Sequence, residues 1–212
     1  MALYLDSAIV SEAEAASQLG WVKGVTTNPT LLAKSDLSPQ ATLKALKQLF
    51  RGEIYYQLTA LDFDSMLEEA WAAYNILGEQ TVLKVPATSL GFQVVAHISP
   101  KIACSVTGIY SASQAAVAKE AGAKYAIAYV NRATRFLGDG ITLVKDMAEI
   151  LAGSETKILA ASIKSPEEAV ATLKAGAYHL TLPWDILQSL TTHELSNQTV
   201  QEFHQNGRGL LS

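Results

Sequence analysis

The chain has 212 residues, of which 49% are hydrophobic and 17% are charged, so it is long enough for a sizeable core in one domain or two small ones. Its formal net charge of −4, without a basic run, argues against nucleic acid as a main partner. No apolar stretch approaches the roughly 18 residues of a membrane span, and the first residues lack the features of a signal peptide. Because Cys104 is the only cysteine, no intrachain disulfide can form, and we expect a cytoplasmic protein.

Short β-rich runs alternate with helical stretches along the chain. The strands are predicted at Leu3–Asp6, Gly24–Thr27, Ile54–Thr59, Val82–Pro86, Ile102–Val106, Tyr125–Val130, Lys157–Ser162 and Leu180–Leu182. The clearest helices, with apolar residues three and four apart, are predicted at Ala41–Phe50, Asp64–Leu77, Ser113–Ala121, Ile141–Leu151 and Pro166–Ala175.

Strands that alternate with helices pair in parallel, and eight such units predict a closed (β/α)8 barrel with short loops. An open, doubly wound sheet is the competing architecture, because periodicity by itself does not distinguish the two. No linker or low-complexity segment interrupts the chain. We therefore expect a single domain over residues 1–212.

Lys84 is the most informative residue, because it lies within a predicted buried strand. Lysine is rarely buried unless another group pairs with it or uses it. A lysine held away from water loses its charge more easily, and a neutral amine is a nucleophile toward carbonyl carbon. The structural alternative is a lysine at a strand end whose ammonium reaches solvent.

Polar residues lie at the ends of seven of the eight predicted strands, and the eighth ends in the apolar pair Leu182-Pro183. They are Asp6, Thr26, Thr27, Asn28, Gln57, Thr59, Lys84, Thr107, Tyr129, Asn131 and Ser162. In a barrel these ends meet at one rim, so the pattern predicts a polar pocket around Lys84. Taken singly, each has a structural alternative; Asp6, for example, is also a good helix cap.

Five segments stand out together: Leu3–Asp6, Gly24–Pro29, Lys84–Pro86, Tyr129–Arg132 and Ile158–Ser162. In these segments, and nearly end to end, the chain resembles the small transaldolase-like family and is closest to its fructose-6-phosphate aldolase branch. The resemblance implies a (β/α)8 barrel that forms a Schiff base on its strand-four lysine and needs neither a metal nor a cofactor.

The resemblance also implies roles around the reacting carbon. Lys84 would form the Schiff base with the ketone of the donor. Asp6 and Asn28 would orient the donor hydroxyls and assist proton transfers, and Thr26 would support the donor site.

A second group of residues would handle protons and separate the two branches of the family. Thr107, Gln57 and Tyr129 would position a water molecule that carries protons during addition and cleavage. Transaldolases typically carry glutamate in place of Gln57 and phenylalanine in place of Tyr129. Asn131 would contribute to substrate binding. It also matches the aldolase pattern, because transaldolases tend to have glycine at this position.

The phosphate of a sugar-phosphate acceptor would bind Arg132 and Ser162, with Arg135 as a weaker candidate. Phosphate sites in barrels often follow strand seven at a helix N-terminus, and Ser162 has that place in the sequence. Surface exposure is the structural alternative for both arginines. The segment 133–140 is bulkier and more basic than the aldolase pattern, which leaves the preferred acceptor open.

The expected reaction is reversible cleavage of fructose 6-phosphate to dihydroxyacetone and glyceraldehyde 3-phosphate. The alternatives are a transaldolase that moves a dihydroxyacetone unit between sugar phosphates, a barrel that binds a sugar phosphate without turnover, and another lysine-dependent aldolase such as one acting on deoxyribose phosphate. The resemblance further implies a homo-oligomer, rings of five that pair into tens. The tail Phe203–Arg208 is a candidate to cover a neighbour's site.

Overall fold

The computed structural model describes residues 1–210, in which eight parallel strands close into a barrel in sequence order. The strands are β1 Ala2–Asp6, β2 Val22–Thr26, β3 Ile54–Gln57, β4 Thr81–Pro86, β5 Ala103–Ile109, β6 Tyr125–Tyr129, β7 Lys157–Ala161 and β8 His179–Leu182. Because β8 pairs with β1 as well as with β7, no strand is left at an edge. The predicted (β/α)8 barrel is confirmed, and the open sheet is wrong.

Helices separate the strands. They are α1 Val10–Gln18, α2 Pro29–Leu32, α3 Pro39–Leu49, α4 Phe63–Leu77, α5 Ser89–Ile98, α6 Ala112–Glu120, α7 Val130–Leu137, α8 Gly140–Ile150, α9 Pro166–Lys174, α10 Trp184–Ser189 and α11 Glu194–Asn206. Eight units predict eight helices, whereas the described residues form eleven. Two of the additional helices, α2 and α7, begin at the rim just after β2 and β6, and α11 follows the barrel.

Strand β5 is longer than the sequence pattern predicts. The apolar pattern indicates an end at Val106, but the strand continues to Ile109. Gly108 adopts a φ of 75°, and the register with β6 shifts between Val106 and Ile109. This irregularity lies next to Thr107, which is therefore within the strand and not beyond it. Such bulges are common beside functional sites, where they change the direction of a side chain.

The hydrophobic core has two parts. The larger part packs the helices against the outer faces of the strands. The smaller part fills the barrel itself and consists of Tyr4, Tyr55, Val82, Tyr125, Ile127, Leu159 and Ala161. Strands buried on both faces have nearly continuous apolar sequences, as β4 and β6 do.

Three tyrosines and one carboxylate close the N-terminal end of the barrel. Tyr4 and Tyr55 donate to Glu53 Oε2 at 2.7 and 2.9 Å, and the Tyr125 hydroxyl donates to the same carboxylate at 2.9 Å. Lys124 Nζ lies 2.7 Å from Glu53 Oε1. Burial raises the pKa of Glu53, but the hydrogen bonds from Lys124, Tyr4 and Tyr55 outweigh it and leave the pKa below its usual value. The opposite end of the barrel is the open one.

Candidate active site

A cavity of about 450 Å³ opens at the C-terminal ends of the strands. Its lining consists of Asp6, Asn28, Pro29, Thr30, Leu31, Gln57, Lys84, Tyr129, Arg132, Ala161, Ser162 and Lys164. The volume is in the range typical of small-molecule sites. Three of the lining side chains are basic and one is a carboxylate, so the cavity favours an anionic ligand.

Lys84 lies in the cavity wall, although only 3% of its surface is exposed. Strand β4 is buried from Thr81 to Val85, and alternation along it directs Lys84 into the barrel above Val82. The Nζ donates to the carbonyl oxygen of Thr27 at 2.7 Å. Within residues 1–210, no carboxylate oxygen forms a salt bridge with this amine. One backbone carbonyl therefore orients the amine and leaves it facing the cavity.

A hydroxyl relay supports Asp6. Thr26 Oγ1 donates to Asp6 Oδ1 at 2.7 Å and lies 2.5 Å from Thr181 Oγ1. Both threonines are almost fully buried. Asp6 lies on β1 and Thr181 lies on β8, and these two strands pair directly. The relay therefore fixes one carboxylate oxygen of Asp6, and the second can act on a ligand.

Asn28 caps a helix with its amide oxygen. Its Oδ1 accepts from the backbone N–H of Leu31 at 2.9 Å, which caps α2. The cap fixes the side-chain rotamer and uses the amide oxygen. The Nδ2 amide group is then the part of Asn28 that can donate to a ligand oxygen in the cavity.

Gln57 and Tyr129 provide polar groups beside Lys84. Gln57 is the register partner of Lys84 across β3 and β4, and its Oε1 is buried without a hydrogen-bond partner within the described chain. Tyr129 Oη lies 2.8 Å from Thr107 Oγ1. Buried polar atoms are rarely left unpaired, so an orphaned oxygen at this depth is suited to a ligand or a water molecule.

Arg132, Ser162 and Lys164 line one side of the cavity mouth. The Arg132 guanidinium lies 5.1 Å from the centre of the Tyr129 ring. Ser162 directly follows β7 with a φ of 60°, a left-handed conformation that costs a non-glycine residue about 1–2 kcal/mol. Such conformations persist where the surrounding structure holds them, often at ligand-binding sites.

Four of the predicted site residues lie outside the cavity lining. Thr26 and Thr107 are buried behind Asp6 and Tyr129, which they contact. Asn131 lies in the first turn of α7, where its Nδ2 donates to Glu168 Oε1 at 3.3 Å. Arg135 is exposed, with its guanidinium beside the ring of Phe136. Neither Asn131 nor Arg135 reaches the cavity.

Two residues that contribute to the site, Lys164 and Thr181, were not predicted from the sequence. Lys164 was missed because it follows Ser162 on a loop rather than on a strand. Thr181 was missed because the last predicted strand ends in apolar residues, although strict alternation from His179 places Thr181 on the inner face.

No group of three or more His, Cys, Asp or Glu side chains in residues 1–210 is arranged to hold a metal ion. Over the same range, none of the helices has both the length and the apolar character needed to cross a membrane.

The sequence matches the family model described as "Transaldolase/Fructose-6-phosphate aldolase" over residues 3–210. A protein of Symbiobacterium thermophilum named "Probable transaldolase" is 35% identical over 206 residues, which cover 96% of this chain and 95% of that protein. One of the same name from Anaeromyxobacter is 36% identical with the same coverage. Mandelate oxidase with (S)-2-phenylpropionate superposes with a TM-score of 0.63 at 16% identity, covering 87% of this chain and 64% of the oxidase, a likeness of fold alone. The chain therefore belongs to the transaldolase/fructose-6-phosphate aldolase family.

Proposed function

We propose that this protein is a class I aldolase that reversibly cleaves fructose 6-phosphate to dihydroxyacetone and glyceraldehyde 3-phosphate. The observation that carries the proposal is Lys84, a buried lysine with no salt bridge among residues 1–210 and a single backbone acceptor, in the wall of a cavity rich in cations. A nucleophilic amine in a polar pocket is what Schiff-base chemistry requires. Membership of the family supports the same chemistry.

The reaction begins when Lys84 Nζ attacks the C2 carbonyl of the sugar and water is lost to form an iminium. The iminium withdraws electrons from the C3–C4 bond. Removal of the proton from the C4 hydroxyl breaks that bond, releases glyceraldehyde 3-phosphate and leaves an enamine on the lysine. Protonation at C3 and addition of water at C2 then release dihydroxyacetone and restore the amine.

The polar residues around Lys84 divide the proton transfers between them. Asp6 has one oxygen held by Thr26, so its other oxygen is available to the donor hydroxyls and to the imine steps. Tyr129 and Gln57, whose Oε1 has no hydrogen-bond partner among the described residues, line the same cavity as the amine and can hold the water that takes the C4 hydroxyl proton. General acid–base groups of this kind contribute about two to four orders of magnitude in rate.

The phosphate end of the substrate would lie against Arg132, Ser162 and Lys164. Two cations at the mouth attract a dianion, and an arginine can grip two phosphate oxygens at once. The substrate would then extend from this side of the mouth to Lys84.

Transaldolase activity is the second candidate, favoured by the names of the relatives, which are called "Probable transaldolase". The two activities share every step up to the enamine. They differ in whether the enamine is protonated or attacks a second aldehyde. Tyr129 favours the lyase, because its hydroxyl can assist protonation and a phenylalanine could not.

A trapping experiment tests the proposal. The protein is incubated with dihydroxyacetone and borohydride, and the reduced adduct is located by peptide mass. We expect it on Lys84 and expect none in Lys84→Met. Lys164→Met is the matched control, because it removes the other lysine of the cavity and leaves the nucleophile in place.

Turnover of fructose 6-phosphate with and without erythrose 4-phosphate separates the two candidates. Release of glyceraldehyde 3-phosphate without the acceptor supports the aldolase. Release of glyceraldehyde 3-phosphate only in the presence of erythrose 4-phosphate would instead identify the protein as a transaldolase. An absence of both adduct and turnover would leave a sugar-phosphate-binding barrel.

We also propose that the protein is a homo-oligomer, a pentamer or decamer by its resemblance to the family. Helix α11 has no buried residue in the single chain, and it exposes Leu195, Val200 and Phe203. A helix that exposes apolar side chains is suited to contact with another copy. Light scattering on a sizing column measures the mass, and a monomer would contradict the proposal.

A further inference from the structure

The side chains at the phosphate end of the cavity come from two separate elements. Arg132 is on α7, whereas Ser162 and Lys164 are on the loop between β7 and α9. A phosphate bound by both elements requires a fixed distance between them, because small displacements of binding groups are costly.

Asn131 joins the two elements through its backbone and its side chain. Its N–H donates to the carbonyl oxygen of Ser162 at 3.0 Å. Its Nδ2 donates to Glu168 Oε1 at 3.3 Å. Since Asn131 directly precedes Arg132, these bonds fix the start of α7 at the residue next to the guanidinium.

Glu168 completes the connection from α9. Its Oε2 accepts from the backbone N–H of Lys164 at 2.7 Å, while its own N–H donates to Ser165 Oγ at 3.1 Å. One carboxylate therefore contacts α7 with one oxygen and the phosphate loop with the other. The loop needs such support because Ser162 has a left-handed backbone.

We propose that Glu168, bonded to Asn131 and to the N–H of Lys164, is a positioning residue that sets the affinity of the site for the phosphate end of the substrate. The inference rests on the proposed function only in taking a sugar phosphate as the ligand. Neither Glu168 nor Asn131 touches the substrate; both act through Arg132 and the loop of Ser162 and Lys164.

The simpler interpretation is that Glu168 only caps α9. Ser165 and Glu168 have the spacing of a capping box, in which the acid bonds backbone near the N-cap. A cap accounts for the bonds to Ser165 and Lys164, but not for the bond to Asn131 on another helix. Replacement of Asn131 with alanine therefore removes the side-chain connection to Glu168 and leaves both the cap and the backbone bond from residue 131 to Ser162 in place.

The first experiment measures binding of inorganic phosphate by calorimetry in the wild type, Asn131→Ala, Glu168→Ala and Glu168→Gln. We expect about tenfold weaker binding in both alanine variants and binding within about threefold of wild type in Glu168→Gln. The glutamine oxygen can accept from the N–H of Lys164, and the glutamine NH2 group can donate to Asn131 Oδ1 once the Asn131 amide is turned over. The double variant, with alanine at both Asn131 and Glu168, should bind phosphate at most about threefold more weakly than either single alanine variant. The effects should not add, because each substitution removes the same connection.

One control variant and the sign of the expected effect separate positioning from charge. Glu79→Ala removes an exposed carboxylate that is hydrogen-bonded to Tyr74 at the other end of the barrel, and it should leave phosphate binding as in the wild type. Loss of the Glu168 charge by itself would strengthen binding of a dianion, so weaker binding in Glu168→Ala separates positioning from charge.

A kinetic measurement adds a readout that general destabilisation would not give. In Asn131→Ala, KM for glyceraldehyde 3-phosphate should rise about tenfold, whereas trapping of unphosphorylated dihydroxyacetone on Lys84 should change less than twofold.

Unchanged or tighter phosphate binding in both alanine variants would overturn the inference, as would a wild type that binds no phosphate. Because the calorimetry needs no turnover, its result does not depend on which reaction Lys84 performs. Failure of the proposed function would appear separately, as a missing Lys84 adduct.

Discussion

The ring of Tyr129 is held by contacts that do not need its hydroxyl. Tyr110 packs edge-on against it with the ring centres 6.3 Å apart, and the Arg132 guanidinium lies 5.1 Å from the ring centre. Among the described residues the hydroxyl makes one bond, at 2.8 Å to Thr107. Removal of this oxygen should therefore leave the ring in place and change only the proton chemistry.

We expect Tyr129→Phe to release glyceraldehyde 3-phosphate from fructose 6-phosphate alone about 100-fold more slowly, the lower end of the range for a lost acid–base group. Transfer to erythrose 4-phosphate should decline less, since a second aldehyde replaces the proton in capturing the enamine. Both rates are measured by coupled assay. Tyr74→Phe, which removes an exposed hydroxyl on α4, is the control. An equal loss of both activities would contradict the role given to the hydroxyl.

At the scale of elements, the position of β2 depends on a close approach to the start of β3. The carbonyl oxygen of Glu53 accepts from the N–H of Val25 at 3.1 Å, and a Cβ on Gly24 would collide with the same oxygen. Only glycine allows the two backbones to meet at this point. Thr26 ends this strand and Thr27 directly follows it, and at the rim they hold Asp6 and Lys84.

The variant Gly24→Ala should lower the free energy of unfolding by about 1–3 kcal/mol, the usual effect of overpacking. For a chain of this size, each kcal/mol lowers Tm by about 2–4 °C, which calorimetry measures. The exposed neighbour Lys23→Ala should stay within about 0.5 kcal/mol of wild type. A wild-type Tm in Gly24→Ala would show that the strands can separate without penalty.

Over the whole molecule, the two ends of the barrel have opposite properties. The C-terminal end is an open cavity with cationic walls, whereas the N-terminal end is closed by the carboxylate of Glu53 and its tyrosine donors. His179 packs at the closed end against the rings of Tyr4 and Tyr125. Its Nδ1 is buried without a hydrogen-bond partner in the described part of the chain.

Burial, with a contribution from the N-terminal ammonium, lowers the pKa of His179 from 6.5 to about 4. As the pH falls below 6.5, the unfolded chain takes up a proton that the folded chain does not, so the stability contributed by neutral His179 is lost between about pH 6.5 and pH 4. We expect a loss on the order of 2 kcal/mol across this window.

Urea unfolding of the wild type and of His179→Phe at pH 7, 6 and 5 measures this contribution. The variant should lose less stability than the wild type as the pH falls, because its ring cannot be protonated. Comparison of the two slopes cancels the contributions of carboxylates such as Glu53. Parallel slopes would mean that His179 titrates alike in the folded and unfolded chains.

The sequence by itself determined the alternation of strands and helices and the central residue of the site, and closure of the strands into a barrel was one of the two architectures that it allowed. The spacing of apolar residues that distinguishes a strand from a helix is a local property of the sequence. Alternating strands and helices imply parallel pairing, and the C-terminal ends of parallel strands in a barrel meet at one rim. For this reason Lys84, Asp6, Asn28, Gln57, Tyr129 and Ser162 could be predicted to lie at one rim, and the structure has all six in the lining of one cavity. Arg132 also lines this cavity, but it was implied only by the resemblance to the family.

Only the tertiary structure decided how these side chains are supported. The contact of Thr26 with Thr181 joins residues 155 positions apart, and that of Asn131 with Glu168 spans 37 positions. Whether such residues meet depends on strand register and on the residue at which a helix begins. For example, α7 begins directly after Tyr129, and this start turns the Asn131 side chain away from the cavity. A local pattern can place a residue at a rim, but the direction of its side chain and its partner depend on the packing of elements far apart in sequence.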